Sequence, residues 1–286
     1  MTVAVEPGAR APTEPAGSPG FGERRFGRFN RLGLETLIAK EIRRFMKVSA
    51  QTIFAPLIST VLFLVVFIQA FGRGGTEIAG TPYVEFLAPG LVMMGVLTNA
   101  FANSSSSLII GKVQGSIVDV LMPPLSAAEL TVAFLVGAVA RGLLVGLVTI
   151  VTCAAFMATT PSPMRVADPL AILYFGLAGA AMFGFLGILG GVWAEKFDQL
   201  AAVTNFVITP LTFLSGTFYA ISALPEPFLT ISAGNPVFYL IDGFRYGFTG
   251  AAEASLAVGA ALTFAINVAL GAACYLLFKS GYKLKS

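Results

Sequence analysis

The sequence predicts an all-α membrane protein with six transmembrane helices. Hydrophobic residues make up 56% of the 286 residues and charged residues only 12%, a balance that ordinary soluble domains do not have. The mean hydropathy is +0.82, and the apolar residues fall into runs that reach the roughly 20 residues needed to cross a bilayer. Besides the six spans we expect an amphipathic helix before the first, a cytoplasmic insert after the second and a re-entrant helical hairpin before the sixth.

The types of residue that are missing exclude several classes of function. Histidine is absent, which removes the usual general base and the commonest metal ligand. The two cysteines, Cys153 and Cys274, lie in apolar runs without metal-ligand spacing. The sequence has no Walker A motif for ATP and no basic face interleaved with aromatic residues for nucleic acid. We therefore expect no catalysis, metal site, cofactor or nucleic-acid binding in this chain.

The region before the first span has two parts. Residues 1–30 are rich in Pro, Gly, Ala, Glu and Arg, which predicts a disordered cytoplasmic tail, and residues 31–286 form the membrane domain. Between residues 34 and 47 apolar side chains recur at helical spacing, with charged ones on the other face. This pattern predicts an amphipathic helix on the membrane surface. The helix either anchors the first span as a basic flank or docks a cytoplasmic partner.

Apolar runs give the positions of the spans. We expect them at about residues 52–71, 86–110, 128–157, 170–193, 200–218 and 256–278. Two GxxxG pairs, Gly142 with Gly146 and Gly187 with Gly191, would let helices approach closely. The stretch 219–253 is too apolar for a free loop, and its pieces are too short to span. It predicts two half-helices that dip into the outer leaflet.

Polar side chains lie inside several predicted spans, where such groups normally face other helices or a pathway. Asn99 and Asn103 stand in the second span and Asn205 in the fifth. Arg141 lies in the third span, where insertion of an arginine costs about 3 kcal/mol. We expect Arg141 to face protein, water or a lipid head group. It either takes part in an ion pair or carbonyl clamp, or it contacts an anionic group of a substrate.

The insert at residues 111–129 is a short amphipathic segment between two long apolar runs. Apolar residues such as Ile117 stand beside polar ones such as Asp119, so the segment can seat its apolar side chains in a cleft of a partner. It can instead lie on the lipid surface. Ser126 and Glu129 have the spacing of a capping box, which predicts that the helix of the third span begins there.

The distribution of Lys and Arg predicts the orientation in the membrane. With the N-terminus inside, the inner segments hold nearly all basic residues that lie outside the spans, and the outer segments hold only Arg73, Arg165 and Arg245. Such a bias marks the cytoplasmic side. Both termini and the insert are therefore expected in the cytoplasm.

The order of these features resembles the permease subunits of type-2 ABC exporters, which include drug-resistance, nodulation-factor and polysaccharide exporters. The most specific parts are YVEFLAPGLVMM at 83–94, DVLMPPLSAAEL at 119–130 and NPVFYLIDGFRYGF at 235–248. The resemblance implies a multi-pass protein of the bacterial cytoplasmic (inner) membrane that pairs with a second copy as a homodimer. It also implies two separate P-loop ATPase subunits that bind ATP and Mg, and an amphiphilic or lipid-like substrate that leaves the cytoplasm or the inner leaflet.

The resemblance places a coupling helix within residues 111–124 and a connecting helix at residues 34–47, both resting on an ATPase. The expected coupling-helix contacts are Lys112, Gln114, Ile117, Val118, Asp119, Val120, Leu121 and Met122. The expected connecting-helix contacts are Glu35, Ile38, Ile42, Arg43 and Phe45. The candidate pathway residues are Asn99, Asn103, Arg141, Asn205, Phe213, Phe218 and Tyr219. The aromatic residues among them are also typical of an interfacial belt.

Two other functions fit the same pattern. The chain can be a non-transporting membrane anchor or scaffold for a cytoplasmic ATPase. It can also be an ion-coupled secondary carrier, although the absence of Asp and Glu from the centres of the predicted spans disfavours this function.

Overall fold

The computed structural model describes residues 29–71, 77–78, 80–158, 160 and 163–283. Of the predicted tail at 1–30 only Phe29 and Asn30 belong to this part, and the rest of the tail lies outside the described residues. The helices are α1 (Arg31–Met46), α2 (Ser49–Phe71), α3 (Tyr83–Val113), α4 (Ile117–Leu121), α5 (Ala127–Met157), α6 (Pro169–Trp193), α7 (Phe197–Val203), α8 (Thr209–Phe213), α9 (Phe228–Ala233), α10 (Pro236–Thr249) and α11 (Leu256–Ser280). A short antiparallel strand pair, β1 (Glu77–Ile78) and β2 (Thr81–Pro82), precedes α3.

Among the described residues, five helices are long and apolar enough to cross a membrane: α2, α3, α5, α6 and α11. They coincide with the predicted spans at 52–71, 86–110, 128–157, 170–193 and 256–278 to within three residues at each end. The all-α membrane class is thereby confirmed. Both α3 and α5 have 31 residues and are about 46 Å long, so they extend beyond the hydrocarbon core of a bilayer.

The predicted fifth span at 200–218 has a different local structure. Here α7 continues into a five-residue π-helix, Thr204–Ile208, and then into α8, which ends at Phe213. Pro210 has no N–H for the carbonyl group of residue 206, which disturbs the regular ladder of hydrogen bonds. Gly216, with φ of 74°, then turns the chain. The count of six spans therefore stays a prediction.

Helix α3 forms the centre of the bundle. Its most extensive contacts are with α6 and α5, and large side chains such as Phe86, Met93 and Leu97 are fully buried along it. By contrast, α2 and α11 bury little of their apolar surface within this chain. Phe54 and Ile58 of α2 are more than half exposed, so a lipid or a second protein must cover that face.

Close contact between α3 and α6 depends on two of the predicted small residues. A Cβ atom at Gly187 would stand 2.5 Å from the carbonyl oxygen of Phe101, and one at Gly191 would stand 2.9 Å from that of Ser105. The Ser104 hydroxyl also donates a hydrogen bond to the Gly184 carbonyl at 2.8 Å. The predicted close approach at this GxxxG pair is confirmed.

The segment between α8 and α11 is fastened by a buried arginine. Arg245 of α10 is 3% exposed and donates to the carbonyl groups of Phe86 (3.2 Å) and Gly216 (2.6 Å). Its guanidinium lies 3.6 Å above the centre of the Phe86 ring, and it pairs with Glu253 at 3.8 Å. Asp242 accepts hydrogen bonds from the backbone N–H groups of residues 253 and 254. The charge of Arg245, counted among the outer basic residues for the orientation, is therefore used inside the fold.

Two helices, α9 and α10, occupy the stretch 219–253 for which half-helices are predicted. They have six and 14 residues, so neither is long enough to cross a bilayer. Asn235 begins α10 by accepting a hydrogen bond from the Val237 N–H at 3.0 Å, in the manner of an N-cap. The position of this helix pair relative to the lipid stays a prediction.

Candidate functional site

The insert at 111–129, called the handle from here on, forms one end of the bundle. Helix α3 ends at Val113, and Gly115, with φ of 70°, lets the chain turn into the short helix α4. Ile117 is buried against α3, whereas Val118 and Met122 are 52% and 78% exposed. The handle therefore packs on the bundle through Ile117 and through half-buried apolar side chains such as Leu121, and it presents Val118 and Met122 on its surface.

The predicted capping box at the end of the handle is confirmed. The Ser126 hydroxyl accepts a hydrogen bond from the Glu129 N–H at 3.3 Å, and the Glu129 carboxylate accepts one from the Ser126 N–H at 2.6 Å. The same carboxylate accepts a further hydrogen bond from the backbone N–H of Asn30, while the side-chain oxygen of Asn30 caps α1 at Gly33 (3.0 Å). One carboxylate therefore joins the first turn of α5 to the start of α1.

A groove lies between α1 and the handle. Its volume is about 310 Å³. The α1 side contributes Leu32, Thr36 and Lys40, and the handle contributes Asp119 and Val120. Opposite charges on Lys40 and Asp119 thus line the same apolar cleft, which suits an amphipathic element of a partner protein.

The inner face of α1 carries a buried ion pair. Leu37, Glu41 and Phe45 are the buried residues of the helix, and α1 packs mainly on α5. Glu41 is 1% exposed. It accepts a hydrogen bond from the Ser107 hydroxyl at 2.8 Å and pairs with Arg44 at 3.3 Å.

Arg44 extends this network into α3. Its Nη2 donates to the backbone oxygen of Asn103 at 2.6 Å and to the side-chain oxygen of Asn103 at 3.0 Å, and its Nη1 donates to Ser106 at 3.1 Å. Neither Glu41 nor Arg44 is among the site residues expected from the sequence. The available signal was the acidic residue at position 41, four residues from Leu37 and from Phe45 on the apolar side of the helix.

The residues expected to contact an ATPase differ in exposure. On the handle, Gln114, Val118, Asp119 and Met122 are exposed, Val120 and Leu121 are half-buried and Ile117 is buried. On α1, Glu35 and Arg43 are exposed, Ile38 and Ile42 are half-buried and Phe45 is buried. Lys112 points away from the handle, because its ammonium donates to the carbonyl groups of Val192 (2.6 Å) and Ala194 at the end of α6. A cation at this position satisfies free carbonyl groups and the helix dipole.

A second cavity lies between α2, α3 and α5. Its volume is about 360 Å³. Arg141 of α5 and Asn99 of α3, both predicted as pathway residues, line it together with Gln51 of α2. Within the described part of the chain, Arg141 makes neither an ion pair nor a hydrogen bond, and its Nε atom is buried without a partner. The structure therefore does not show the ion pair or carbonyl clamp considered for Arg141.

Four phenylalanine rings form a cluster beside this cavity. Phe218 lies 4.9 Å from Phe67, 5.2 Å from Phe213 and 5.6 Å from Phe63, measured between ring centres. Phe63 also lines the cavity, so the cluster is continuous with it. The hydroxyl of Tyr83 donates to the carbonyl group of Phe218 at 3.3 Å.

The remaining pathway candidates lie elsewhere. Asn103 is buried in the Arg44 network, Asn205 is exposed on the π-helix, and Tyr219 is half-buried near the aromatic cluster in the sequence but outside the cavity lining. The structure thus brings Asn99 and Arg141 together in the cavity and stacks Phe213 on Phe218, which contacts the cavity residue Phe63. In the part of the chain that the structure describes, no group of three His, Cys, Asp or Glu residues could hold a metal ion.

Apolar helices of membrane-spanning length, a handle at one end and a cavity between three helices define a multi-pass helical membrane protein. The family model described as ABC-2 type transporter matches residues 33–249. Inner membrane transport permease YadH of Escherichia coli strain K12 is 35% identical over 255 residues, which cover 89% of this chain and 98% of that protein. The chain therefore belongs to the ABC-2 type transporter family, as one of its membrane permeases.

More distant relatives are the nodulation proteins J. That of Sinorhizobium fredii strain NBRC 101917 / NGR234 is 26% identical over 179 residues, covering 61% of this chain and 66% of that protein. That of Bradyrhizobium diazoefficiens is 26% identical over 193 residues, covering 66% of this chain and 72% of that protein. The resemblance inferred from three sequence segments is thereby confirmed.

Proposed function

We propose that this chain is the transmembrane permease subunit of an ATP-driven ABC exporter in the bacterial inner membrane. It moves an amphiphilic or lipid-like molecule out of the cytoplasm or the inner leaflet. Membership of the ABC-2 family and the name of the Escherichia coli relative support the permease role. The observation that carries the proposal is the joint groove of α1 and the handle, because it can seat an apolar element of a partner and is connected to the helices that line the cavity.

ATP hydrolysis takes place in partner subunits. The sequence has no Walker A motif, so two P-loop ATPases bind ATP and Mg and dock on two copies of this permease. Each ATPase inserts an apolar element into the groove, with Val118 and Met122 as exposed contacts and Lys40 and Asp119 as charged residues of the groove. Gln114, Glu35 and Arg43 surround this surface and complete the contact.

Force passes from the groove into the membrane helices through buried hydrogen bonds. Glu129 joins the handle end of α5 to the start of α1, and Arg44 joins α1 to Asn103 of α3. Because α3 and α5 both line the cavity with Arg141, a movement of the docked ATPase changes the width of the cavity. The handle and α1 move as one unit, since separating them would break the hydrogen bonds that Asn30 donates to the Glu129 carboxylate and to the Pro124 carbonyl group.

The cavity and the aromatic cluster form the path of the substrate. The cavity is lined by apolar and polar residues in equal number, a mixture that suits an amphiphilic ligand. In the proposed arrangement of six spans with both termini in the cytoplasm, the handle lies inside and the α9–α10 pair lies near the outer surface as a gate. The exposed face of α2 supports contact with a second copy, and the exposed π-helix supports the same contact from the fifth span.

Co-expression of this chain with its partner ATPase tests the proposal. We expect a complex with equal numbers of both subunits, and ATP-dependent export of a fluorescent lipid from vesicles that contain the complex. A complex without export would support the membrane scaffold instead. Transport without ATP, driven by an ion gradient, would support the secondary carrier. Failure to form any complex with a P-loop ATPase would contradict both the exporter and the scaffold.

A further inference from the structure

The cavity between α2, α3 and α5 changes character along its length. Helices α2 and α3 are antiparallel in sequence direction across it, so Gln51 of α2 lies at the same end as Thr98 and Asn99 of α3. Phe63 and Leu91 line the other end and lead to the phenylalanine cluster. Polar side chains of α2 and α3 therefore meet at the end nearer the handle, Ser59 and Thr60 line the wall of α2 between the two ends, and the far end is the more apolar one.

Arg141 supplies an unbalanced positive charge in this cavity. No carboxylate lines the cavity among the described residues. The charged group that acts on Arg141 electrostatically is Arg44, which carries the same sign. Glu41, the nearest acidic residue in the Arg44 network, is already bound to Arg44 and Ser107. Arg141 is half-buried, and its Nε is buried without a partner, so a cation without a counter-charge here is costly unless an anion reaches it.

The polar side chains of α3 that line the cavity bond to their own helix and not to Arg141. The hydroxyl of Thr98 donates to the Met94 carbonyl of its own helix at 2.8 Å, and the amide of Asn99 donates to the Gly95 carbonyl at 3.0 Å. These bonds fix both side chains to α3. Arg141 therefore keeps its fork of N–H donors for a partner from outside the chain.

We propose that this cavity binds an amphiphile with an oxyanion head group, phosphate or carboxylate, and that Arg141 is the residue that holds the head group. The head group lies at the polar end beside Asn99, and the alkyl chain runs past Leu91 toward Phe63. A volume of about 360 Å³ is near the lower end of ligand sites and accommodates a head group with the first part of one chain. As a transport substrate, this ligand rests on the proposed exporter function, whereas its binding can be measured on the permease alone.

Binding of radiolabelled dodecyl phosphate to the purified full-length protein in a neutral detergent tests the proposal. We expect saturable binding that unlabelled dodecyl phosphate and dodecanoate displace. Dodecyltrimethylammonium, which has the same chain and the opposite charge, should not displace it. If inorganic phosphate displaces the label as effectively as dodecyl phosphate does, the cavity is a site for free anions, and the proposal of an amphiphilic ligand is overturned. Absence of saturable binding to the wild type would overturn the whole proposal.

Variants locate the site. Arg141→Gln should weaken binding by about ten- to a hundredfold, the effect of losing a charge-assisted hydrogen bond, and Arg141→Lys should restore part of it. Arg165→Gln, which removes an exposed arginine outside the cavity, should bind as the wild type does. If Arg141→Gln does not fold, Asn99→Asp provides the test. It should also weaken binding, because a fixed carboxylate in the cavity would compete for Arg141 and repel the anion. Unchanged binding in folded Arg141→Gln or Asn99→Asp would overturn the proposal.

The outcome is separable from that of the exporter proposal. The binding assay contains neither ATPase nor ATP. A permease that binds dodecyl phosphate but forms no complex with an ATPase would therefore contradict the exporter proposal and support the proposed binding site. A complex that exports lipid while the permease binds no anionic amphiphile would keep the exporter and contradict the site.

Discussion

The buried pair of Glu41 and Arg44 predicts that the two partners contribute unequally to stability. In Arg44→Met the carboxylate of Glu41, 1% exposed, keeps only the hydroxyl of Ser107 as a partner. Leaving a buried charge unpaired costs about 3–5 kcal/mol. In Glu41→Gln an oxygen still accepts from Ser107, and Arg44 keeps its bonds to Asn103 and Ser106. The loss is then about 1.5–3 kcal/mol, the contribution of one charged hydrogen bond.

Equilibrium unfolding of the purified protein in mixed micelles, with increasing fractions of sodium dodecyl sulfate and circular dichroism as the readout, measures these free energies. The double variant Glu41→Gln/Arg44→Met should be more stable than Arg44→Met alone, because no buried charge remains. Arg43→Met, which changes an exposed neighbour on the same helix, should shift the free energy of unfolding by about 0.5 kcal/mol or less. A larger loss in Glu41→Gln than in Arg44→Met would refute the reasoning.

Three further predictions concern the docking surface and the packing. Asp119→Arg should reduce substrate-stimulated ATPase activity of the complex about tenfold, the effect of losing one favourable charge contact. Glu226→Arg, which changes an exposed acidic residue far from the handle in sequence, should leave this activity unchanged. Equal activity of the two variants would contradict the docking surface. Gly187→Ala should lower the free energy of unfolding by about 1–3 kcal/mol, because its Cβ would clash with a carbonyl oxygen at 2.5 Å. In the control Gly190→Ala, the new Cβ meets only ordinary contacts at 3.6 Å. The same unfolding titration compares the two variants, and equal stability would show that α3 and α6 are not in close contact. Arg245→Lys should cost about 1.5–3 kcal/mol in that titration, because an ammonium cannot reproduce the planar fork that serves two carbonyl groups and a ring, and wild-type stability of this variant would contradict the clamp.

Features encoded locally could be predicted from the sequence. The apolar runs predict the ends of five helices to within three residues, because lipid and the protein interior both favour apolar side chains along the whole span. The capping box of Ser126 and Glu129 was predictable because both of its hydrogen bonds close within four consecutive residues. The start of α10 at Asn235 rests on a local N-cap of the same kind, although it was not predicted.

Interactions between distant segments could not be predicted in this way. Glu41 binds the hydroxyl of Ser107, which lies 66 residues further along the chain. Lys112 binds the Val192 carbonyl group at the end of α6, 80 residues further along. A charge on a helix face is normally interpreted as exposed, and for Glu41 and Arg245 this expectation fails because their partners come from other helices. The π-helix in the predicted fifth span likewise depends on how Pro210 is accommodated, for which hydropathy contains no signal.

The candidate site was predicted in part for the same reason. Asn99 and Arg141 were selected because polar groups in apolar runs need a partner or a cavity, and both line one cavity. Asn103 was selected by the same rule but uses its oxygen to hold Arg44. A polar residue in a span thus marks a position that needs a hydrogen-bond partner or a cavity. Only the packing of the helices shows whether its side chain faces a cavity or bonds to another helix.

The hydrogen bond between Asn30 and Glu129 has a consequence for biosynthesis. Its two residues are 99 positions apart, so at about 5–20 residues per second the ribosome adds Glu129 roughly 5–20 s after Asn30. The partners of α1 in α3 and α5 are also made after it. During this interval α1 is without its final contacts, and its apolar face with Glu41 has only the membrane surface or a chaperone to cover it. Synthesis of the first two spans therefore precedes completion of the surface that α1 and the handle form together.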